Sequence, residues 1–252
     1  MGEMEKVALV TGASSGIGQA VAIALAQNGF NVVITARRKE KLEDSIALAG
    51  AASKRIVAIP GDVTDPDAVK AVFDQAEQTF GRLDLLFNNA GSNIPATPLE
   101  DIAPDDWRRV IDINLTGSFF CAQAAMRIMK KQNPVGGRII NNGSAAAHVP
   151  RMRGIAYAAS KHAITGLSKA ISLEGREYNI SCCQLDLGNV AVERNAGLEK
   201  GTLQADGTMK PEPRMHLDSV IKAILFMASL PNTDCVPTLL LTSNNMPLLG
   251  RG

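Results

Sequence analysis

Tyr157 and Lys161 lie four residues apart in the segment "YAASK", with only two alanines and a serine between them. Residues at i and i+4 share one face of a helix, so the phenol and the ammonium can converge on one point. A free phenol, with a pKa near ~10, is a poor acid or base at neutral pH, but a neighbouring ammonium favours the phenolate. The pair therefore indicates proton transfer. A tyrosine ring packed on a surface lysine stem is the alternative that the segment alone leaves open.

A second candidate site is the glycine-rich segment "TGASSGIG", which directly follows the first apolar run of the chain. Gly12, Gly16 and Gly18 permit a tight turn and a close approach of backbone N–H groups to an anion. The N-terminus of the helix that follows adds a partial positive charge, and Ser14 and Ser15 add hydroxyl donors. Between a first strand and a first helix, this pattern predicts dinucleotide binding in preference to a bare turn.

Short β-branched runs alternate with longer amphipathic runs along the whole chain. The predicted strands are "KVALVTG", "NVVITA", "RIVAIPG", "LDLLFNNAG", "GRIINNGS", "ISCCQLDLG" and "TLLLTS", and the predicted helices span 16–28, 39–48, 67–79, 104–131, 156–178 and 217–229. Continuous apolar strands are expected where helices cover both faces of a parallel sheet. The alternation predicts an α/β fold with a doubly wound, mainly parallel sheet of seven strands.

The 252 residues show no repeat or composition break, so we expect a single domain over 1–252. Residues 189–215 are polar and contain glycine and two prolines, and a segment of this length predicts a substrate loop or lid. A net charge of +1 and 4% aromatic residues argue against nucleic-acid binding. No apolar run reaches about 18 residues and no signal peptide is recognisable, which predicts a cytoplasmic protein without a membrane segment. The four cysteines lack metal-ligand spacing, so no metal is expected.

Five motifs occur in the same order as in the short-chain dehydrogenase/reductase family, which the chain resembles over nearly its whole length. They are the glycine turn, "NNAG" at 88–91, "DINLTG" around Asn114, Ser144 thirteen positions before Tyr157, and "YAASK". The resemblance implies a Rossmann-type fold and a catalytic set of Asn114, Ser144, Tyr157 and Lys161. In that set Ser144 would hold the substrate oxygen, Lys161 would also bind the nicotinamide ribose, and Asn114 would hold a water that relays protons.

The same resemblance implies contacts to a nicotinamide cofactor. Besides Tyr157 and Lys161, they fall to Gly12, Ser14, Ser15, Gly16, Ile17, Gly18, Arg37, Asp62, Val63, Asn89, Ala90, Gly91, Gly188 and Val190. Asp62 matches the acid that contacts the adenine, although a turn or cap role explains it nearly as well. The implied reaction is a reversible hydride transfer between the cofactor and a carbonyl/secondary alcohol pair.

The end of the second strand bears on the choice between NADP(H) and NAD(H). Ala36 stands where a carboxylate would bind the ribose 2′-hydroxyl of NAD, and Arg37 follows it. A guanidinium donates paired, charge-assisted hydrogen bonds to a phosphate. These residues predict NADP(H), with NAD(H) as the alternative. Arg38 is interpreted as part of a solvated helix face.

One stretch departs from the family pattern, and the role of a second stretch stays open. Leu187 replaces a common proline, and Val192 stands where a threonine would fasten the carboxamide. Loop residues His148, Arg151 and Arg153 follow Ser144 and would suit an anionic or polar substrate, while a solvated loop is an equal alternative.

By resemblance the chain forms a homodimer or homotetramer. Ala163, Gly166 and Ala170 could allow close contact between helices, or could equally face the nicotinamide or the sheet. The tail "NNMPLLGRG" is apolar and is expected to pack, either on its own chain or on a neighbouring subunit. A binding protein that kept the nucleotide site but lost catalysis is the rival function, although the catalytic set is complete.

Overall fold

A seven-stranded sheet forms the centre of the computed structural model, which describes residues 5–193, 197 and 201–248. The strands in chain order are β1 (Val7–Thr11), β2 (Asn31–Thr35), β3 (Ile56–Ala58), β4 (Leu85–Asn88), β5 (Gly137–Asn142), β6 (Ile180–Leu187), β7 (Thr202–Leu203), β8 (Met209–Lys210) and β9 (Thr238–Leu241). The sheet has the order β3-β2-β1-β4-β5-β6-β9, and all its neighbouring strands are parallel. The predicted doubly wound fold is confirmed, with the strand order reversing between β1 and β4.

Helices cover both faces of this sheet. They are α1 (Gly16–Gln27), α2 (Lys39–Leu48), α3 (Pro66–Phe80), α4 (Pro104–Ile111), α5 (Gly117–Met129), α6 (Ile155–Gly175) and α7 (Leu217–Ser229). In β1, Val7 and Leu9 join the core under α3, α5 and α6, whereas Ala8 and Val10 join the core under α1, α2 and α7. Because side chains alternate along a strand, a continuous apolar run fills both cores at once.

The predicted helix 104–131 is helical over 104–129 but contains a π turn that the prediction lacked. The chain forms α4, then a π-helical turn over Asp112–Thr116, and then α5. A π turn is a common feature of functional sites, and this one carries the candidate residue Asn114. The predicted helix 156–178 likewise ends at Gly175 and continues as a 3₁₀ turn over Arg176–Tyr178.

The segment 189–215 is more ordered than a plain loop in the part that the structure describes. Strands β7 and β8 form a short antiparallel hairpin, and Val190 pairs with Met215 in an isolated parallel bridge. Residues 194–196 and 198–200 lie outside the described residues. The role of this segment as a substrate loop stays a prediction. Across the described ranges, no helix combines the length and the apolar character that crossing a membrane would require.

Candidate active site

One cavity of about 1550 Å³ opens at the carboxyl ends of the parallel strands. This is where ligands bind in doubly wound sheets. It gathers predicted residues from β1, β2, β4, β5, β6 and α6. Those that line it are Gly12, Ser14, Ser15, Gly16, Ile17, Arg37, Asp62, Val63, Asn89, Ala90, Gly91, Ser144, Tyr157, Lys161, Gly188 and Val190. The predicted residues Gly18 and Asn114 are not in its lining and support it from behind.

The glycine turn has the features of an anion cradle. Gly12 and Gly16 have φ values of +64° and +58°, which favour glycine, and a Cβ on Gly16 would lie 3.9 Å from the Val192 side chain. The first turn of α1 contains no acidic residue, and the Ser15 side chain does not cap the helix. The partial positive charge at this helix end is therefore available to a phosphate, so these residues fit a dinucleotide.

Gly18 has a packing role. A Cβ at this position would lie 2.5 Å from both Asn89 Nδ2 and Gly12 O. Asn89 needs this space because its Nδ2 donates hydrogen bonds to Thr11 O at 3.0 Å and to Gly12 O at 3.3 Å. The amide therefore fastens the glycine turn to the end of β4.

The ends of β2 and β3 border the region where the adenosine is expected. Arg37 and Arg38 both line the cavity with exposed side chains, so Arg38 lies closer to the site than its sequence interpretation implied. Asp62 lines the cavity as well, and its Oδ1 accepts hydrogen bonds from Thr64 N at 3.0 Å and Thr64 Oγ1 at 2.8 Å. The turn role considered for Asp62 is therefore present alongside its place in the cavity wall.

Tyr157 and Lys161 occupy one face of α6, as their spacing predicts. The Lys161 ammonium lies 5.6 Å from the centre of the Tyr157 ring. Lys161 is 4% exposed, and its Nζ donates a hydrogen bond to Asn142 O at 2.6 Å. A buried ammonium is therefore fixed beside the half-buried phenol ring, where little water screens its charge.

Asn114 lies within the π-helical turn and is 1% exposed. Its Nδ2 donates to Ser92 O at 3.0 Å and to Ser160 Oγ at 2.9 Å, while its Oδ1 accepts from Ser92 N at 2.7 Å. Ser160 Oγ in turn donates to Tyr157 O at 2.8 Å. Asn114 thus ties the segment after β4 to the first turn of α6, and the water relay implied by the resemblance stays a prediction.

Ser144 is held by a buried carboxylate that sequence reasoning missed. Asp186 on β6 is fully buried, and its Oδ1 accepts hydrogen bonds from Ser144 N and Gln184 Nε2, both at 2.8 Å. His148 Nε2 lies 2.7 Å from Asp186 Oδ2. The sequence signal was an acidic residue inside the apolar run "ISCCQLDLG". His148 pairs with this carboxylate and is absent from the cavity lining.

Gly143 makes room for the same carboxylate. A Cβ on Gly143 would lie well inside van der Waals distance of Asp186 Oδ1. Any side chain at position 143 would therefore clash with Asp186, so the buried acid requires glycine at this position.

The region where the nicotinamide is expected is apolar at the two positions that depart from the family pattern. Leu187 and Val192 both line the cavity, and the Val192 N–H donates to Val190 O at 2.9 Å. The tail folds back here, because Met246 is 8% exposed and its sulfur packs near Gly188. Residues 249–252 of the tail lie outside the described residues.

Comparison with known proteins identifies the family. The family model described as short chain dehydrogenase matches residues 6–202. An uncharacterized oxidoreductase of Staphylococcus saprophyticus is 31% identical over 246 residues, or 97% of this chain and 98% of that protein. This chain therefore belongs to the short-chain dehydrogenase family of oxidoreductases.

Two further relatives carry more specific names. A 3beta-hydroxysteroid dehydrogenase of Mediterraneibacter gnavus is 41% identical over 182 residues, which cover 71% of this chain and 63% of that protein. The chain thus matches less than two thirds of that relative. The crystal structure of acetoin dehydrogenase from Salmonella typhimurium superposes with a TM-score of 0.82 at 31% identity, covering 96% of each chain.

The close approach of Gly143 and Asp186 predicts a strong coupling between them. Gly143→Ala is expected to lower the free energy of unfolding by about 2 kcal/mol or more, because the new Cβ displaces a buried carboxylate. Adding Asp186→Ser removes that clash. The free energy of unfolding of the double variant is therefore expected to fall by at least ~1 kcal/mol less than the sum of the decreases in the two single variants. Chemical denaturation of the three variants measures the coupling.

Gly197→Ala is the matched control, because Gly197 is exposed and a Cβ there would meet nothing within 4 Å. Strictly additive losses at Gly143 and Asp186, or a Gly143→Ala loss as small as that of the control, would contradict the coupling.

Proposed function

We propose that this chain is an NADP(H)-dependent oxidoreductase that interconverts a carbonyl and a secondary alcohol, with Tyr157 as the acid and base. The observation that carries the proposal is the convergence of Ser144, Tyr157 and Lys161 on the cavity that also contains the glycine turn. A phosphate cradle and a proton-transfer pair that share one cavity suit a reaction between a dinucleotide and a small molecule.

The bound nicotinamide would supply the hydride chemistry, and the residues of the chain hold the substrate and move the proton. Tyr157 protonates the substrate oxygen during reduction and accepts the proton during oxidation. Lys161 stabilises the phenolate that forms, because its ammonium is fixed near the ring by Asn142 O. Ser144 Oγ donates to the substrate oxygen and stabilises the negative charge that develops there.

The proposed specificity for NADP(H) is supported by the end of β2. Ala36 offers no carboxylate to the ribose, and Arg37 and Arg38 line the cavity beside it. The guanidinium groups favour a 2′-phosphate, which an acidic residue would repel. The alternative is the same reaction with NAD(H), with the two arginines remaining in solvent.

Titration with both cofactors tests the role of Arg37. Arg37→Ala is expected to weaken NADPH binding roughly 10- to 100-fold and to leave NADH binding nearly unchanged, since it removes charge-assisted hydrogen bonds to the 2′-phosphate alone. Nicotinamide fluorescence measures both affinities. Arg127→Ala, an exposed position on α5 outside the cavity lining, is the control. Equal affinity of the wild type for both cofactors, unchanged in Arg37→Ala, would favour NAD(H).

Tyr157→Phe separates catalysis from cofactor binding. The variant is expected to lose roughly 100- to 10,000-fold in kcat, because the positioned proton donor is gone, while its affinity for NADPH is retained. Tyr178→Phe is the control, since Tyr178 packs against Lys130 at the end of α6 and does not line the cavity. The assay uses ketones and secondary alcohols, including acetoin and a 3β-hydroxysteroid. Cofactor binding without turnover of any of them would favour the catalytically silent alternative.

We also propose that the protein is cytoplasmic. All four cysteines are free thiols, as expected in a reducing compartment. Burial raises the pKa of the Cys121 thiol to about 12, which keeps this group unreactive at neutral pH. Among the described residues, no group of three or more His, Cys, Asp or Glu could hold a metal ion.

The outer face of α6 supports a homodimer or homotetramer. Gly166 and Ala170 are exposed there, a Cβ on Gly166 would meet nothing within 4 Å, and Leu173 is 60% exposed. A smooth face of this kind allows a second helix to approach closely, and apolar groups on it would be buried. Light scattering is expected to give a multiple of the 26.7 kDa chain mass for the wild type and a lower mass for Gly166→Arg. A monomeric wild type would contradict the proposal.

A further inference from the structure

Glu212 is a buried carboxylate near the cavity that takes no part in the proposed chemistry. Its side chain is 1% exposed and forms an ion pair with Arg151, whose side chain is 28% exposed. Glu212 Oε2 also accepts from Asn189 Nδ2 at 2.9 Å, and Oε1 accepts from Gln204 Nε2 at 3.2 Å. A carboxylate removed from water requires partners of this kind, because an unpaired buried charge is strongly destabilising.

Arg151 lines the cavity, and its positive charge is already paired with Glu212. Its Nη2 donates to Glu212 and, at 2.7 Å, to Asn189 Oδ1. Arg151 and Asn189 line the cavity, whereas Glu212 lies behind them. A substrate in the cavity therefore meets a guanidinium whose charge the carboxylate behind it balances.

Other basic groups around the substrate end also have acidic partners. His148 pairs with Asp186, and Arg109 Nη2 lies 2.9 Å from Asp106 Oδ1. Arg153 is different, because it lines the cavity with an exposed side chain and belongs to no ion pair within the described ranges. Among the described residues near Arg151, Arg153 is thus a basic group that can still attract an anion, and the experiment includes it.

The wall around these groups also contains large apolar side chains among its polar ones. Its large apolar side chains are Ile94, Val149, Met152, Leu203, Met209 and Leu248. Met152 is 47% exposed and Met209 is 63% exposed, although both belong to the cavity lining. Exposed apolar side chains gathered at a cavity mark a binding surface, and methionine adapts its shape to different ligands.

We propose that the enzyme acts on uncharged, largely apolar ketones and secondary alcohols, and that Glu212 sets this specificity by neutralising Arg151. The inference rests on the proposed function and names the substrate class of the same site. An anionic substrate would lose hydration on entering the cavity without gaining Arg151 as a partner. An uncharged substrate would bury apolar surface against the methionine-rich wall. The proposal differs from the expectation that an anionic or polar substrate suits His148, Arg151 and Arg153, which stays a prediction.

A matched pair of ketones tests the proposal. Isopropyl-cyclohexanone and oxocyclohexane-carboxylate have the same ring, with an apolar or an anionic substituent of similar size. Their kcat/KM values are measured with NADPH, and calorimetry measures their binding to the enzyme loaded with NADP⁺. The wild type is expected to favour the uncharged ketone in both measurements. Glu212→Gln is expected to shift the ratio toward the carboxylate about tenfold or more, because it unmasks the Arg151 charge while Asn189 still holds the guanidinium.

The control is the double variant Glu212→Gln with Arg151→Gln, which removes both charges and is expected to keep the preference of the wild type. A wild type that binds the carboxylate at least as tightly as the uncharged ketone, or binds neither, overturns the proposal. An unshifted ratio in a folded Glu212→Gln variant also overturns it. Carboxylate binding that is lost in Arg153→Gln would assign anion recognition to Arg153 and reject the proposed class.

Thermal unfolding shows whether Glu212→Gln is folded, and if it is not, the wild type and Arg153→Gln still decide the substrate class. Failure of the proposed function has a separate signature. The wild type would then bind the uncharged ketone more tightly and yet reduce neither ketone.

Discussion

A continuous path of hydrogen bonds joins Lys161, which lies beside Tyr157 on α6, to the glycine turn, and the geometry of the site depends on this path. Lys161 Nζ donates to Asn142 O, Asn142 Nδ2 donates to Asn89 Oδ1 at 3.0 Å, and Asn89 Nδ2 donates to the carbonyls of Thr11 and Gly12. Each link crosses from one element to another. Buried polar groups that satisfy one another in this way fix relative positions, because breaking any link leaves a desolvated donor or acceptor.

The same rule explains how the carboxylates around the site are stable although they are buried. Asp186 and Glu212 are both removed from solvent, and each collects donors from separate segments of the chain. Asp186 fixes the backbone of Ser144, while Glu212 joins Arg151 to Asn189 and to Gln204 of the segment 189–215. Such a network helps to position the segment, because a buried charge that loses its partners is strongly destabilising.

Sequence reasoning succeeded where a signal is local. Strand runs, helix periods, the glycine turn and the Tyr157–Lys161 spacing are each contained within a few residues. The glycine turn, Tyr157 and Lys161 all line one cavity in the structure. It failed where two residues that are far apart in the sequence contact each other in the structure. Nothing near Gly143 shows that Asp186 fills the space of its missing side chain, and Arg151 is separated from Glu212 by 61 positions. The π turn around Asn114 was missed because its periodicity differs little from that of an α-helix.

The cavity has two regions of different physical character, and the difference suits the two tasks of the proposed function. Near Tyr157, Lys161 and Ser144 are 4% and 7% exposed and are held by hydrogen bonds, which suits the proposed proton transfer because reacting groups must be positioned to within a few tenths of an ångström. At the substrate end, Met152 and Met209 are exposed and unbranched, so they can repack around ligands of different shape. Apolar contacts have little directional preference, so in the proposed function these side chains would select for polarity and size more than for one precise outline. The proposed reaction centre is thus fixed, while the apolar side chains beside it can adapt to related substrates.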